Sequence, residues 1–352
     1  MTDFGVYLHV PFCRHRCDYC AFATWTDRDG LIDRYLAACR THVEQAVAEG
    51  LPPVTSVFVG GGTPTRVPPQ SLMAVLEPLP LTDDAEVTVE TNPDDVTGEL
   101  LTTYRDGGVT RVSLGVQSLE PTVLEALGRT HDPANVRRAV ELIKATGFAS
   151  WNLDLIYGAA GETIDHWTHT LEAALAFEPP HVSAYALTVE PGTRLAEEHH
   201  RHPDDDDQAD KYLLATELLG AADLEWYEIS NWAKPGHECR HNLLYWSQGE
   251  YAAIGCAAHG HRSGRRYWNV RTPERYVHAI ERGASPEAAD ERLLEDEKRL
   301  EGLQLALRTL DGVPASALPV DDLGDLVKVR NGRARLTVAG RLMANEVAIR
   351  LR

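Results

Sequence analysis

Apolar runs of five or six residues recur along the first half of the chain, at intervals that a helix would fill. Val6–Val10, Val54–Val59, Val87–Thr91, Val112–Val116, Leu153–Tyr157 and Val182–Leu187 each read as a strand. Continuous apolar runs suit strands that are covered on both faces. Between them the period changes. Val136, Val140 and Ile143 fall at i, i+4 and i+7, with Gly147 placed to stop a helix. Leu171 and Leu175 mark another amphipathic helix. Strands alternating with helices predict βα units around a parallel sheet, an α/β fold. Six such units make either a partial barrel or an open doubly wound sheet.

After about residue 195 this rhythm breaks. In "RHPDDDDQADKY" the four aspartates Asp204–Asp207 read as a solvated loop and helix N-terminus, where acidic side chains suit the helix dipole. From Glu297 a helical stretch carries Leu300, Leu303 and Leu307. Asn331-Gly332 between short alternating runs predicts a hairpin, and a helix is expected from Val338 to Glu346. The chain therefore divides into residues 1–195 and residues 196–352, the second part ending in a small α+β appendage.

With 352 residues, 43% of them apolar, the chain can bury a large core. It has 34 basic against 53 acidic residues, a net charge of -19. That balance disfavours nucleic acid and anionic lipid as partners. No run approaches the roughly 18 apolar residues of a membrane helix. Met1 to Val10 has neither a basic n-region nor a long apolar h-region. A reducing cytoplasm is the expected compartment, and there clustered cysteines are more often metal-binding or catalytic than disulfide-bonded.

Three of the six cysteines are clustered. "HVPFCRHRCDYCAF", from His9 to Phe22, spaces Cys13, Cys17 and Cys20 as C-x3-C-x2-C directly after the first strand. Thiolates suit zinc or an iron–sulfur cluster. A structural zinc site wants four ligands, and His9 or His15 could complete one. Three thiolates on a four-iron cluster would instead leave one iron open. Glu90, Gln117 and Asp154 each sit at the C-terminal end of an expected strand, and a glycine run, Gly60 to Gly62, ends another. In a βα barrel that rim is where ligands bind.

C-x3-C-x2-C in this position, with the aromatic Tyr19 just before the third cysteine, resembles the radical S-adenosylmethionine (SAM) superfamily. "YLHVPFC", "GGGTPT", "VETNPD", "SLGVQS", "LGRTH" and "NLDLIYG" resemble, in order, the oxygen-independent coproporphyrinogen oxidase group, the HemN and HemW proteins. The resemblance implies a partial (β/α)6 barrel with a C-terminal, winged-helix-like α+β appendage. It also implies a [4Fe-4S] cluster on Cys13, Cys17 and Cys20 whose open iron takes the methionine part of SAM. In that superfamily the reduced cluster splits the sulfonium into methionine and a 5′-deoxyadenosyl radical. Tyr7 and Gly61-Gly62-Thr63 would meet the methionine part of SAM. Glu90, Gln117, Arg129, Asp154 and Ala186 would line the rest of its site.

Within the group three features favour HemW. Phe22 stands where the porphyrinogen-oxidising enzymes carry a fourth cysteine. Cys13 lies close to the start of the sequence, where those enzymes have a long extension. "RHNLLYW", Arg240 to Trp246, has the H-N-x-x-Y-W pattern of the HemW heme chaperones, and "AIGCAAHG" also resembles them. The resemblance then implies heme as a further ligand, an acceptor protein for it and an electron donor for the cluster. His241 is the expected heme ligand, with His259, Cys239 and Cys256 as rivals. Cys39 falls in a helical pattern and reads as core. Two other readings stay open: a radical SAM enzyme acting on a porphyrinogen or another small molecule, and a tRNA-modifying one, against which the net charge counts.

Overall fold

The computed structural model describes residues 3–351. The six expected strands are present as β1 (Phe4–Val10), β2 (Val54–Gly61), β3 (Leu81–Thr91), β4 (Arg111–Gln117), β5 (Ser150–Tyr157) and β6 (His181–Ala186). They pair in sequence order and all are parallel. Their valines and leucines explain this. Val10, Val59, Val89, Leu114 and Leu153 are fully buried, because helices cover the outer face and inward side chains fill the other.

The helices start and stop where their ends are satisfied. Pro133–Thr146 is capped by the Asp132 carboxylate, which accepts from Ala134 N–H, and Gly147 ends it at φ 78°. Val136, Ala139, Val140 and Ile143 are its buried face. The aspartate run behaves as expected: Asp204 accepts from Asp207 N–H and opens the helix Asp205–Ala221.

The sheet does not stop at β6. β7 (Glu225–Glu228) and β8 (Asn231–Ala233) add antiparallel beyond it. At the opposite edge β9 (Glu250–Ile254) lies parallel to β1. It is followed by β10 (His259–Arg262), β11 (Arg265–Asn269) and β12 (Glu287–Arg292), all antiparallel. The result is one twelve-stranded sheet. Its hydrogen bonding crosses residue 195 at both edges, and Leu219, Trp226, Ile254 and Tyr276 share the core of the first six strands.

A second core belongs to the C-terminal end. β13 (Val313–Pro314), β14 (Val327–Arg330) and β15 (Arg333–Leu336) form a small antiparallel sheet. Leu307, Val313, Leu336 and Val347 pack together there. Asn331 and Gly332 both have positive φ, 52° and 75°, the two-residue turn that a tight hairpin requires. The helix expected from Val338 to Glu346 is two short ones, Val338–Leu342 and Ala344–Ala348. Met343, at φ −107° and ψ 23°, breaks it and lets Ala344, Val347 and Ala348 reach this core. Among the described residues no helix is long and apolar enough to cross a membrane.

Candidate functional site

The loop after β1 carries the three cysteines and is firmly held. Cys13 N–H donates to Trp25 O at 3.0 Å and Trp25 N–H to Pro11 O at 2.8 Å. Asp18 anchors its middle: its backbone O accepts from Leu195 N–H at 2.9 Å, and its carboxylate pairs with Arg201 at 2.9 Å. The glycines after β2 close against this loop. Gly62 N–H donates to Val10 O at 2.8 Å, and a Cβ on Gly62 would sit 2.7 Å from that oxygen and 3.1 Å from Cys13 Sγ. Gly61 has φ 105°, and its missing side chain leaves room for the His9 ring. Both positions therefore require glycine.

The thiols face a cavity of about 640 Å³ at the C-terminal ends of the parallel strands. Thr63 Oγ1 donates to Cys13 Sγ and Arg129 Nη1 to Cys17 Sγ, each at 3.5 Å. Burial pushes the Cys13 thiol up to about 11 and raises that of Cys20. Without a metal these two are neutral, and iron would supply the positive charge that favours thiolate. Among the described residues no three His, Cys, Asp or Glu side chains group as ligands for one metal ion. A four-iron cluster places each cysteine on a different iron, so it needs no such convergence.

The rim residues read from the sequence line the same cavity: Glu90, Gln117, Arg129, Asp154 and Ala186, with Gly61, Gly62 and Thr63. Glu90 accepts from Gly61 N–H at 3.1 Å. Burial, with the Asp154 carboxylate nearby, lifts its acid to about 8. Asp154 is also raised by burial, although Ser113 Oγ at 2.7 Å and Asn152 Nδ2 at 2.8 Å donate to it. Gln117 has φ 64° beside a register shift in β4. Such strain in a non-glycine residue persists where the surroundings enforce it. Tyr185, 39% exposed on β6, also lines the cavity and went unread in the sequence. Its position beside Ala186, at the end of an apolar strand run, was the available clue.

Glu90 gives a pH prediction. A carboxyl raised from 4.5 to about 8 keeps a proton in the folded chain that the unfolded chain has released. Stability of the cofactor-free protein is therefore lost as pH rises through that window. Glu90→Gln should stabilise it by about 1–3 kcal/mol at pH 8 and little at pH 5. Thermal unfolding of both proteins at the two pH values checks this; an equal difference at both would refute it.

The sequence model of the radical SAM superfamily matches residues 7–174. The heme chaperone HemW of Mycobacterium tuberculosis is 42% identical, over 98% of this chain and 93% of its own length. The chain belongs to the HemW family of radical SAM proteins. HemW of Bacillus subtilis is 34% identical, over 97% of each chain. Among solved structures, coproporphyrinogen III oxidase (HemN) from Escherichia coli superposes with TM-score 0.84, covering 99% of this chain and 89% of its own, at 21% identity. That likeness is one of fold.

Two further residues expected in ligand roles are not among those lining this cavity. Tyr7 does not line the cluster cavity. It projects from β1 into a neighbouring one, where its hydroxyl donates to His9 Nδ1 at 3.1 Å. His9 is fixed by its Nε2–H, which donates to Ala23 O at 2.9 Å, so neither of its nitrogens is free for zinc. His241, expected to bind heme, is completely buried. Its Nδ1 is hydrogen-bonded to Ser56 Oγ at 2.9 Å and its Nε2 to Tyr245 Oη at 2.8 Å. Burial depresses its pKa to about 3, so the ring is neutral. The H-N-x-x-Y-W pattern here closes the barrel floor: the histidine and the tyrosine one turn later bond each other. In this arrangement both His241 nitrogens are engaged by hydroxyls, one of them through its lone pair.

The rivals differ among themselves. Cys239 and Cys256 are buried, with Glu86 Oε1 3.6 Å from the first thiol and Tyr35 Oη 3.5 Å from the second. Cys39 is core, as its helical pattern implied. His259 is exposed on β10 and lines the second cavity.

Proposed function

We propose that this chain is a cytoplasmic heme chaperone that holds a [4Fe-4S] cluster and SAM, binds heme and delivers it to an acceptor protein. The observation carrying this reading is the likeness to proteins named heme chaperone HemW over 97–98% of the chain, cluster loop and C-terminal part together. Cys13, Cys17 and Cys20 would hold three irons, and the fourth would take the amino and carboxylate groups of SAM. When bound, the reduced cluster and SAM supply one-electron chemistry at the sulfonium.

The chain's own residues would do the rest. The N–H groups of Gly61, Gly62 and Thr63 are bonded to Glu90, Val10 O and Phe12 O, so this segment would shape the wall beside the methionine part of SAM and hold it against the cluster loop. Glu90, neutral when the cavity is empty, would ionise beside a cationic ligand. Arg129 holds the loop through Cys17 and Gly115 O at 3.1 Å.

A specific observation favours cargo binding over porphyrinogen oxidation. Phe22 is 63% exposed between the two cavities, in the place of a fourth cysteine. The test adds hemin to anaerobically purified protein and follows the Soret band, then assays 5′-deoxyadenosine with coproporphyrinogen III. Stoichiometric heme binding without porphyrinogen-dependent release is expected. Absence of binding, or porphyrinogen-dependent release, would overturn the reading.

A further inference from the structure

The second cavity encloses about 920 Å³ on the inner side of β1 and β9–β11, next to the cluster loop. That is near the upper end of ligand clefts, roughly 300–1,000 Å³, and suits a large rigid ligand. Its walls are aromatic: Tyr7, Tyr245, Tyr251 and Trp268 line it. Broad aromatic surface favours a flat conjugated molecule.

The charges are as selective as the walls. Arg271 and Arg275 line the cavity, and among the described residues neither guanidinium has an ion-pair partner. The third arginine there, Arg266, is paired with Glu291 and Glu301. Two uncompensated cations on a chain of net charge -19 mark a place for an anion with two acidic groups.

One imidazole is presented to this space. The ring of His259 stacks on Trp268 with centroids 5.7 Å apart and planes 26° apart. Among the described residues its nitrogens have no hydrogen-bond partner, unlike those of His9 and His241. The turn before it is held in a costly shape. Ala257 has φ 54°, although its N–H donates to Val270 O at 3.0 Å, and Asn269 Nδ2 donates to Gly255 O at 2.8 Å. His261 faces the same cavity two residues on, but its Nδ1 is bonded to Gly249 O at 3.0 Å. Side chains two apart on a strand project the same way, about 7 Å from each other, so they cannot ligate opposite faces of one macrocycle.

We propose that this cavity is the heme site, with His259 as the iron ligand and Arg271 and Arg275 receiving the propionates. This rests on the heme-chaperone reading and moves the ligand from the H-N-x-x-Y-W motif to β10. Neutral imidazole is the form that binds iron.

The test uses the full chain with its cluster and compares hemin with iron-free protoporphyrin IX. For His259→Ala, hemin affinity should fall about tenfold or more while protoporphyrin IX affinity stays within about threefold, because only the iron bond is removed. For Arg271→Ala with Arg275→Ala, both ligands should weaken together. His261→Ala should bind hemin nearly as the wild type does. Unchanged hemin affinity in His259→Ala, or a loss specific to His261→Ala, would overturn this assignment and leave the chaperone reading standing. Failure of the wild-type chain to bind hemin would instead remove the chaperone reading itself.

Discussion

Replacing Cys13, Cys17 and Cys20 together with alanine should take the anaerobically purified chain from about four irons to background, with loss of the broad cluster absorbance. The fold should survive. The variant loses only two long contacts to sulfur, from Thr63 to Cys13 and from Arg129 to Cys17, while the backbone bonds to Trp25 and the Asp18–Arg201 pair stay. Cys13 is a neutral, buried group in the empty cavity, so alanine removes little more than a small apolar contact. Melting temperatures of the variant and of the cluster-free wild type should therefore agree within about 2 °C, equivalent to about 1 kcal/mol for a chain of this length. SAM binding should disappear with the iron, because the contacts proposed for Gly61–Thr63 and Glu90 would hold only parts of the ligand. Iron and sulfide analysis with equilibrium dialysis of SAM checks both outcomes. A variant that kept a full cluster would show that other ligands hold it.

The strands that build this site were legible because each carries a short apolar run covered on both faces. A polar residue at the end of such a run, as at Glu90, Gln117 and Asp154, then falls on the rim by geometry alone. The remaining strands gave no comparable pattern. β10 is His-Gly-His-Arg and β12 is Glu-Ala-Ala-Asp-Glu-Arg, and both lie on the antiparallel edge. Their pairing depends on β9 returning to β1 some 240 residues later, a non-local contact that no short window contains. The second cavity was hidden for the same reason, although its histidine had been noticed. His241 is the opposite case. A histidine one helical turn from a tyrosine marks a contact between them, and only the structure reveals that Ser56 occupies the other nitrogen.

Lys211→Ala should destabilise the protein more than any surface change, by about 3–5 kcal/mol. The Lys211 and Glu162 side chains are both fully buried, with Nζ 3.2 Å from Glu162 Oε2. Lys211 also donates to Glu162 O at 2.8 Å and to Asp207 at 2.5 Å. Without it, Glu162 keeps only Gly158 N–H, at 2.6 Å, while its Oε1 has no partner at all. Burial already raises the Glu162 acid, and removing the ammonium raises it further. Stability tied to a raised carboxyl is lost as pH rises through its unfolded value toward its folded one. The deficit of Lys211→Ala should therefore be small near pH 5 and grow toward pH 8. Adding Glu162→Gln should recover much of it at pH 8, since the amide oxygen still accepts from Gly158 without carrying charge. Thermal unfolding of wild type, single and double variants at both pH values decides the matter. A deficit independent of pH, with no recovery in the double variant, would mean that the pair is not coupled. The consequence reaches the site: the Asp205–Ala221 helix also holds Leu187 O through Gln208 at 2.9 Å. Loosening this helix should therefore weaken the SAM binding proposed at the Ala186 rim, even though Lys211 does not line the cavity.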